Sequence, residues 1–256
     1  MISRVGKTWI WTMVQAILTA ILIALLYWAW LIVRSSDNFP VRYIKVLGTT
    51  QHIPVQKVQQ LIIQNFQGGF FSYKSGPIKD ALLSNAWLGS VSMRRVWPDM
   101  VEVTVTEKVP VLQWNTNKLA DASGNLFEPP VDTIPKNLPQ LFGPEDNFKE
   151  VFTKYQEYRE ALSGLGLGIS NLKLSDRLSW TVELNNNISV ILGEKNPDAR
   201  LERFVNHYKK LIGDNARCVQ YVDLRYPDGI TIKWQNLDKT HQCPPAVLPA
   251  IHIYAD

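Results

Sequence analysis

The chain has 256 residues, 46% of them hydrophobic, a formal net charge of +4 and a pI near 9.0. That is enough apolar material for two or three packed cores, while the Lys and Arg residues are spread along the chain, which excludes a phosphate-tracking stripe for nucleic acid. Its four histidines are scattered, and none has a carboxylate, Cys or second His at metal-ligand spacing.

The first element is Trp9–Val33, WIWTMVQAILTAILIALLYWAWLIV, which carries no charge. As a helix it covers roughly 37 Å, enough to cross a bilayer core with some tilt. It is longer than the apolar region of a signal peptide and lacks a small-x-small cleavage site. Trp9 and Trp11 at one end and Trp28 and Trp30 at the other suit the two membrane interfaces. Arg4 and Lys7 precede the span while Arg34, Arg42 and Lys45 follow it, so local charge does not set the orientation. A short N-terminus ahead of a single span favours residues 1–8 in the cytoplasm and the large remainder exported.

Residues 34–38 read as a linker, and 39–109 as a small module. Val41–Leu47 is a strand stopped by Gly48. Pro54 opens a helix with Val55, Val58, Leu61 and Ile62 on one face, and a second helix buries Ile78, Leu82 and Leu83. Two strands then flank Trp97-Pro98-Asp99, with Val101, Val103 and Val105 facing one way. The order βααββ predicts helices over one face of a short sheet.

From Pro110 the texture changes, and 110–256 reads as a second, β-rich domain. The proline-rich stretch Pro129–Asp146 is expected to be irregular and superficial. A helix follows with Val151, Phe152, Tyr155 and Leu162 at helical spacing and Gly164 as its stop. Strands are expected at Leu172–Leu174, Trp180–Leu184 and Ile188–Leu192. The next helix has Asn196 as cap, Pro197 in its first turn and a stripe of Leu201, Phe204, Val205, Tyr208 and Leu211.

The segment YVDLRYPDGITIKW, Tyr221–Trp234, reads as a hairpin with Pro227 and Asp228 in a type I turn and Gly229 in the left-handed position. This pairs Tyr226 with Ile230, Leu224 with Ile232, Val222 with Trp234 and Asp223 with Lys233. Val222, Leu224, Tyr226, Ile230, Ile232 and Trp234 share one face; Tyr221, Asp223, Arg225, Thr231 and Lys233 share the other, expected to be solvated. The last strand of a sheet presents an edge that can accept a partner strand, with Tyr226 and Trp234 as aromatic anchors. Cys218 and Cys243 bracket the hairpin; an exported domain allows a disulfide between them, although in this register Cys243 overshoots and its segment has to curl back.

No nucleophile elbow, phosphate loop or Ser-x-x-Lys is present, and GLGLG at Gly164–Gly168 follows a helix instead of a strand. The motifs FPVRYIKVLG, VSMRRVWPDMVEVTVTEKVPVLQWN, DASGNLFEPP, LPQLFGPE, SWTVELNNNISVILG, RLERFVNHY and YVDLRYPDG together resemble the FtsQ/DivIB family of bacterial cell-division proteins over essentially the full chain. The resemblance implies an α+β protein: one transmembrane helix, a POTRA domain, and a C-terminal β domain whose helices pack on a mostly antiparallel sheet. It implies a non-enzymatic inner-membrane scaffold at the septum, with no cofactor and no small-molecule substrate, and with FtsB and FtsL, FtsK, and the septal peptidoglycan synthesis proteins FtsW and FtsI as partners. It places FtsB contact at Tyr226, Gly229 and Trp234, with Arg225, Asp228, Ile230 and Ile232 in the same hairpin. It places a recruitment surface on the POTRA sheet at Val101, Val103, Val105, Val109 and Val111. A POTRA-type chaperone and an anchored envelope enzyme remain alternatives; against them stand the absence of barrel-strand alternation and of a convergent catalytic set.

Overall fold

The computed structural model describes residues 3–34, 39–48, 50–227, 229–235 and 251–252. The chain divides into two units, Met1–Lys108 and Val109–Asp256. The first opens with helix α1, Ser3–Arg34. Its segment Trp11–Val33 is long and apolar enough to cross a membrane, and none of it is buried within the protein. A hydroxyl in such a span needs an internal acceptor; Thr19 donates back to the carbonyls of Gln15 and Ala16 at 3.0 and 2.9 Å.

The rest of this unit is β1 (Tyr43–Leu47), α2 (Val55–Asn65), α3 (Ser75–Leu83), β2 (Leu88–Val96) and β3 (Met100–Glu107). The sheet order is β1-β3-β2, with β1 parallel and β2 antiparallel to the central β3. Val58, Ile62, Ile78 and Leu82 of the helices and Val101, Val103 and Val105 of β3 are all buried, which is the expected core. Leu83 and Val55 depart from expectation: both are exposed, because two short helices on a three-stranded sheet bury a narrower stripe than the apolar residues available.

The burial also corrects the expected recruitment surface. Val101, Val103 and Val105 point into the core, and β3 is paired along both edges, so neither their side chains nor their backbone faces a partner. Val109 is exposed and Val111 half-buried; the outer strands of this sheet are β1 and β2.

At the far end of β3 the Glu107 carboxylate accepts the N–H groups of Gln51, His52 and Ile53 at 3.0 to 3.2 Å and meets the His52 ring at 3.1 Å. These bonds close the turn between β1 and α2, whose donors precede the helix and have no other ladder. The His52 ring in turn stacks on buried Trp87 at 3.7 Å.

The second unit contains β4 (Pro110–Trp114), β5 (Lys118–Asp121), β6 (Leu126–Phe127), β7 (Gln140–Phe142), α4 (Phe148–Ser163), β8 (Ile169–Leu174), β9 (Trp180–Leu184), β10 (Ser189–Gly193), α5 (Pro197–Leu211), β11 (Val219–Asp223), β12 (Gly229–Trp234) and β13 (Ile251–His252). They form one mixed sheet in the order β13-β12-β11-β10-β9-β8-β7-β4-β5-β6. The β7-α4-β8 and β10-α5-β11 connections both join neighbouring parallel strands and step the same way across the sheet. Right-handed crossovers of that kind deliver both helices to one face. Lys154 and Tyr158 of α4 hydrogen-bond Asp198 of α5 at 2.9 Å, joining the two helices. Burial, with Asp198 beside it, raises the Tyr158 hydroxyl pKa, so the group remains a donor.

Two expectations fail here. Pro129–Asp146 contains β7, whose Leu141 is fully buried between β4 and β8; three residues between Pro139 and Gly143 are too few to show a period. Asn196 stands before α5 but in left-handed backbone, φ 48°, with no side-chain cap bond.

Burial pushes the Glu107 carboxyl up, but the hydrogen bonds from Gln51, His52 and Ile53 outweigh it, and its pKa lies below the ordinary value of 4.5. Its contribution to stability is therefore complete above pH 4.5 and disappears as the pH falls through the lower folded value. Urea denaturation of Glu107→Ala at pH 7 should show a loss of about 2 kcal/mol; a wild-type midpoint that does not fall on acidification would contradict this account.

Candidate partner-binding edge

The expected site lies where α5, β11 and β12 meet. The Leu224 N–H donates to the Ile191 carbonyl at 3.0 Å, so the chain keeps following β10 for a residue beyond β11. β12 then pairs with β11 as Tyr221 with Lys233, Val222 with Ile232 and Asp223 with Thr231, and, past an irregularity, Val219 with Trp234. The predicted register is displaced by two residues. Because strand side chains alternate, a shift of two preserves the faces: Val222, Leu224 and Ile230 are buried, and Ile232 and Trp234 pack against the core.

The cause is a pair of arginines on α5. Arg200 donates to the carbonyls of Leu192 and Arg225 at 2.5 and 2.9 Å. Arg203 donates to those of Pro227, Leu224 and Tyr226 at 2.5, 3.1 and 3.0 Å. A planar guanidinium can serve several carbonyls at once, and here it holds the loop open beyond a three-residue turn. Gly229 accordingly begins β12 without a positive φ, correcting the left-handed position expected for it. Asp228 and Cys243 lie outside the described residues. Gly193, at φ +79°, is where the clamp needs a glycine: a Cβ there would come 2.8 Å from Arg200 Nη1 and 3.0 Å from Arg225 Cγ.

Asp223, expected on a solvated face opposite Lys233, is 5% exposed. Arg225 covers it, with Nη2 2.7 Å and Nε 3.0 Å from the carboxylate and its backbone N–H at 3.0 Å. Burial raises the Asp223 carboxyl pKa, but these bonds, with Arg200 nearby, outweigh that and lower it. Lys233 instead lies over the Tyr221 ring at 5.5 Å. Tyr226, expected on the buried side, is 56% exposed because its carbonyl is pinned to α5 while its ring is left outside.

The edge itself differs from expectation. β12 is not the last strand: Gly229 and Ile230 pair with His252 and Ile251 of β13. Among the described residues nothing pairs with the outer side of β12 from Thr231 to Trp234. Cys218, at the base of β11, is 1% exposed. No group of three or more His, Cys, Asp or Glu side chains that could hold a metal occurs among the described residues.

The FtsQ-type POTRA domain matches residues 39–108, and the C-terminal domain of cell division protein FtsQ/DivIB matches residues 112–225. The cell division protein FtsQ of Coxiella burnetii is 37% identical over 203 residues, 79% of this chain and 84% of that protein. The chain belongs to the FtsQ/DivIB family. FtsQ of Aliivibrio fischeri is 30% identical over 82% of this chain and 84% of its own length, and that of Allochromatium vinosum 31% over 87% and 90%. The FtsQ/DivIB match ends at residue 225, so β12 lies beyond it. Membership in FtsQ/DivIB accounts for the fold and the division role, and an N-terminal helix such as α1 fits a single-pass membrane protein.

The hairpin is legible in the sequence, but Arg200 and Arg203 in RLERF look like ordinary outward charges; only the tertiary approach of the loop distinguishes them. Arg203→Lys keeps the charge but loses the fork. It should cost about 2 kcal/mol of stability in denaturation and speed amide exchange at residues 224–230 relative to α4. Unchanged exchange there would show that the loop does not depend on this side chain.

Proposed function

We propose that this chain is a non-enzymatic, single-span scaffold of the bacterial division machinery, with its N-terminus in the cytoplasm and its POTRA and β domains in the periplasm. It binds FtsB and FtsL at the septum, FtsB by adding a strand to β12. The complex connects the early partner FtsK to the septal synthesis proteins FtsW and FtsI.

The observation that carries this reading is the outer side of β12. Among the described residues, Thr231–Trp234 extends past the two residues taken by β13, and an exposed strand edge of this kind offers a partner strand backbone donors and acceptors to join. Tyr226 stands exposed at one end of that edge and half-buried Trp234 at the other, the arrangement of an aromatic-anchored interface. Arg225, Ile230 and Ile232 shape the strand between them. Cys218, buried and with no free thiol, supports a bridge to Cys243.

Calorimetric titration with the periplasmic segment of the cognate FtsB should show Tyr226→Ala and Trp234→Ala weakening binding roughly tenfold or more with the fold intact. Wild-type protein should gain exchange protection at Thr231–Trp234 on binding. Full affinity in both variants, with no new protection, would move the partner elsewhere. Removing residues 251–256 uncovers Gly229 and Ile230; a rise in affinity would mean that the partner strand also uses those two. For the bridge, titration of denatured, unreduced protein should find no reactive thiol, and two would exclude it.

A further inference from the structure

The POTRA unit has one end that strand addition leaves unused. β1 and β3 run parallel with Tyr43 level with Met100, and β2 turns into β3 through Trp97, Pro98 and Asp99. The turn thus sits where the chain arrives from α1: the Arg42 N–H donates to the Asp99 carbonyl at 2.9 Å. The loop after α2 comes to the same end. There the Phe70 N–H donates to the Phe39 carbonyl at 2.8 Å, and Arg95 Nε to the Phe70 carbonyl, also at 2.8 Å.

Four aromatic rings at this end face outward: Trp97 is 80% exposed, Tyr43 63%, Phe71 45% and Phe39 36%. Trp97 is the most exposed large hydrophobic side chain among the described residues. Arg42 precedes Tyr43 and Arg94 lies three residues before Trp97; each side chain is 71% exposed, and they pair with Asp99 and Glu102. Arg95 stacks on the Tyr73 ring at 4.4 Å.

Chain length selects the occupant. Residues 35–38 alone separate Arg34, the last residue of α1, from Phe39. Fully extended, they allow at most about 18 Å between those two Cα atoms. An end so closely tethered to an apolar span cannot leave the bilayer surface, and indole rings with arginines are the side chains that settle among lipid headgroups and phosphates.

We propose that this end of the POTRA unit, led by Trp97, is a lipid-contacting surface that rests in the headgroup layer of an anionic leaflet. The proposal rests on the reading of α1 as a membrane span, and its test separates the two.

The full-length chain, carrying p-benzoylphenylalanine in place of Trp97, Ser90 or Leu22 in turn, is reconstituted into nanodiscs of phosphatidylethanolamine and phosphatidylglycerol and irradiated. Adducts are read by mass spectrometry. Position 22 reports the span; position 90, exposed on β2 away from the turn, reports chance contact. The expected result is lipid adducts at 22 and 97 and few at 90. Replacing phosphatidylglycerol by phosphatidylcholine should lower the yield at 97 roughly fivefold for each arginine that engages a headgroup. Adducts at 22 but none at 97, or equal yields at 97 and 90, would overturn the proposal while leaving the span intact. Absence at 22 and 97 together would overturn both. In cells, adducts at 97 to protein in place of lipid would mean that this end serves a protein partner, which also overturns it.

Discussion

Arg200 and Arg203 reach from α5 to five backbone carbonyls, those of Leu192, Leu224, Arg225, Tyr226 and Pro227. Carbonyls in a loop at the end of a sheet have no ladder of their own and must find donors or water. Supplying the donors from a helix ties three things to one element: the end of β10, the exit of β11 and the entry of β12. α5 is in turn held by its position as the crossover between β10 and β11 and by the bonds from α4 to Asp198. The direction of β12, and so of any strand laid against it, is inherited from a helix that lies on one face of the sheet.

Much of this was legible in the sequence. The uncharged run from Trp9 to Val33, the βααββ order of the small unit and the faces of β11 and β12 follow from periodicity and turn residues. What was illegible was long-range. β7 is three residues of proline-bracketed chain made into a central strand by neighbours on both sides. The register of β12 moved by two because donors on α5 hold the loop carbonyls, which no local turn rule contains. Asp223 looked like a surface residue and proved buried because Arg225, two residues along, closes over it.

The two units use exposed and buried apolar residues in different ways. In the POTRA unit alternation puts three valines of β3 in the core, so any recognition by that sheet has to use its outer strands, its ends or its exposed face. In the β domain one face of the sheet is covered by helices, and among the described residues its β12 end is only partly paired. An incompletely paired strand is an aggregation liability that folded proteins normally protect; here β13 supplies part of that protection from the same chain.

The position of β13 bears on how such a chain can be labelled. Ile251 and His252 lie beside Gly229 and Ile230. A bulky reporter attached at Ile251 or His252 would sit next to the β12 edge, where it competes for space with any incoming strand.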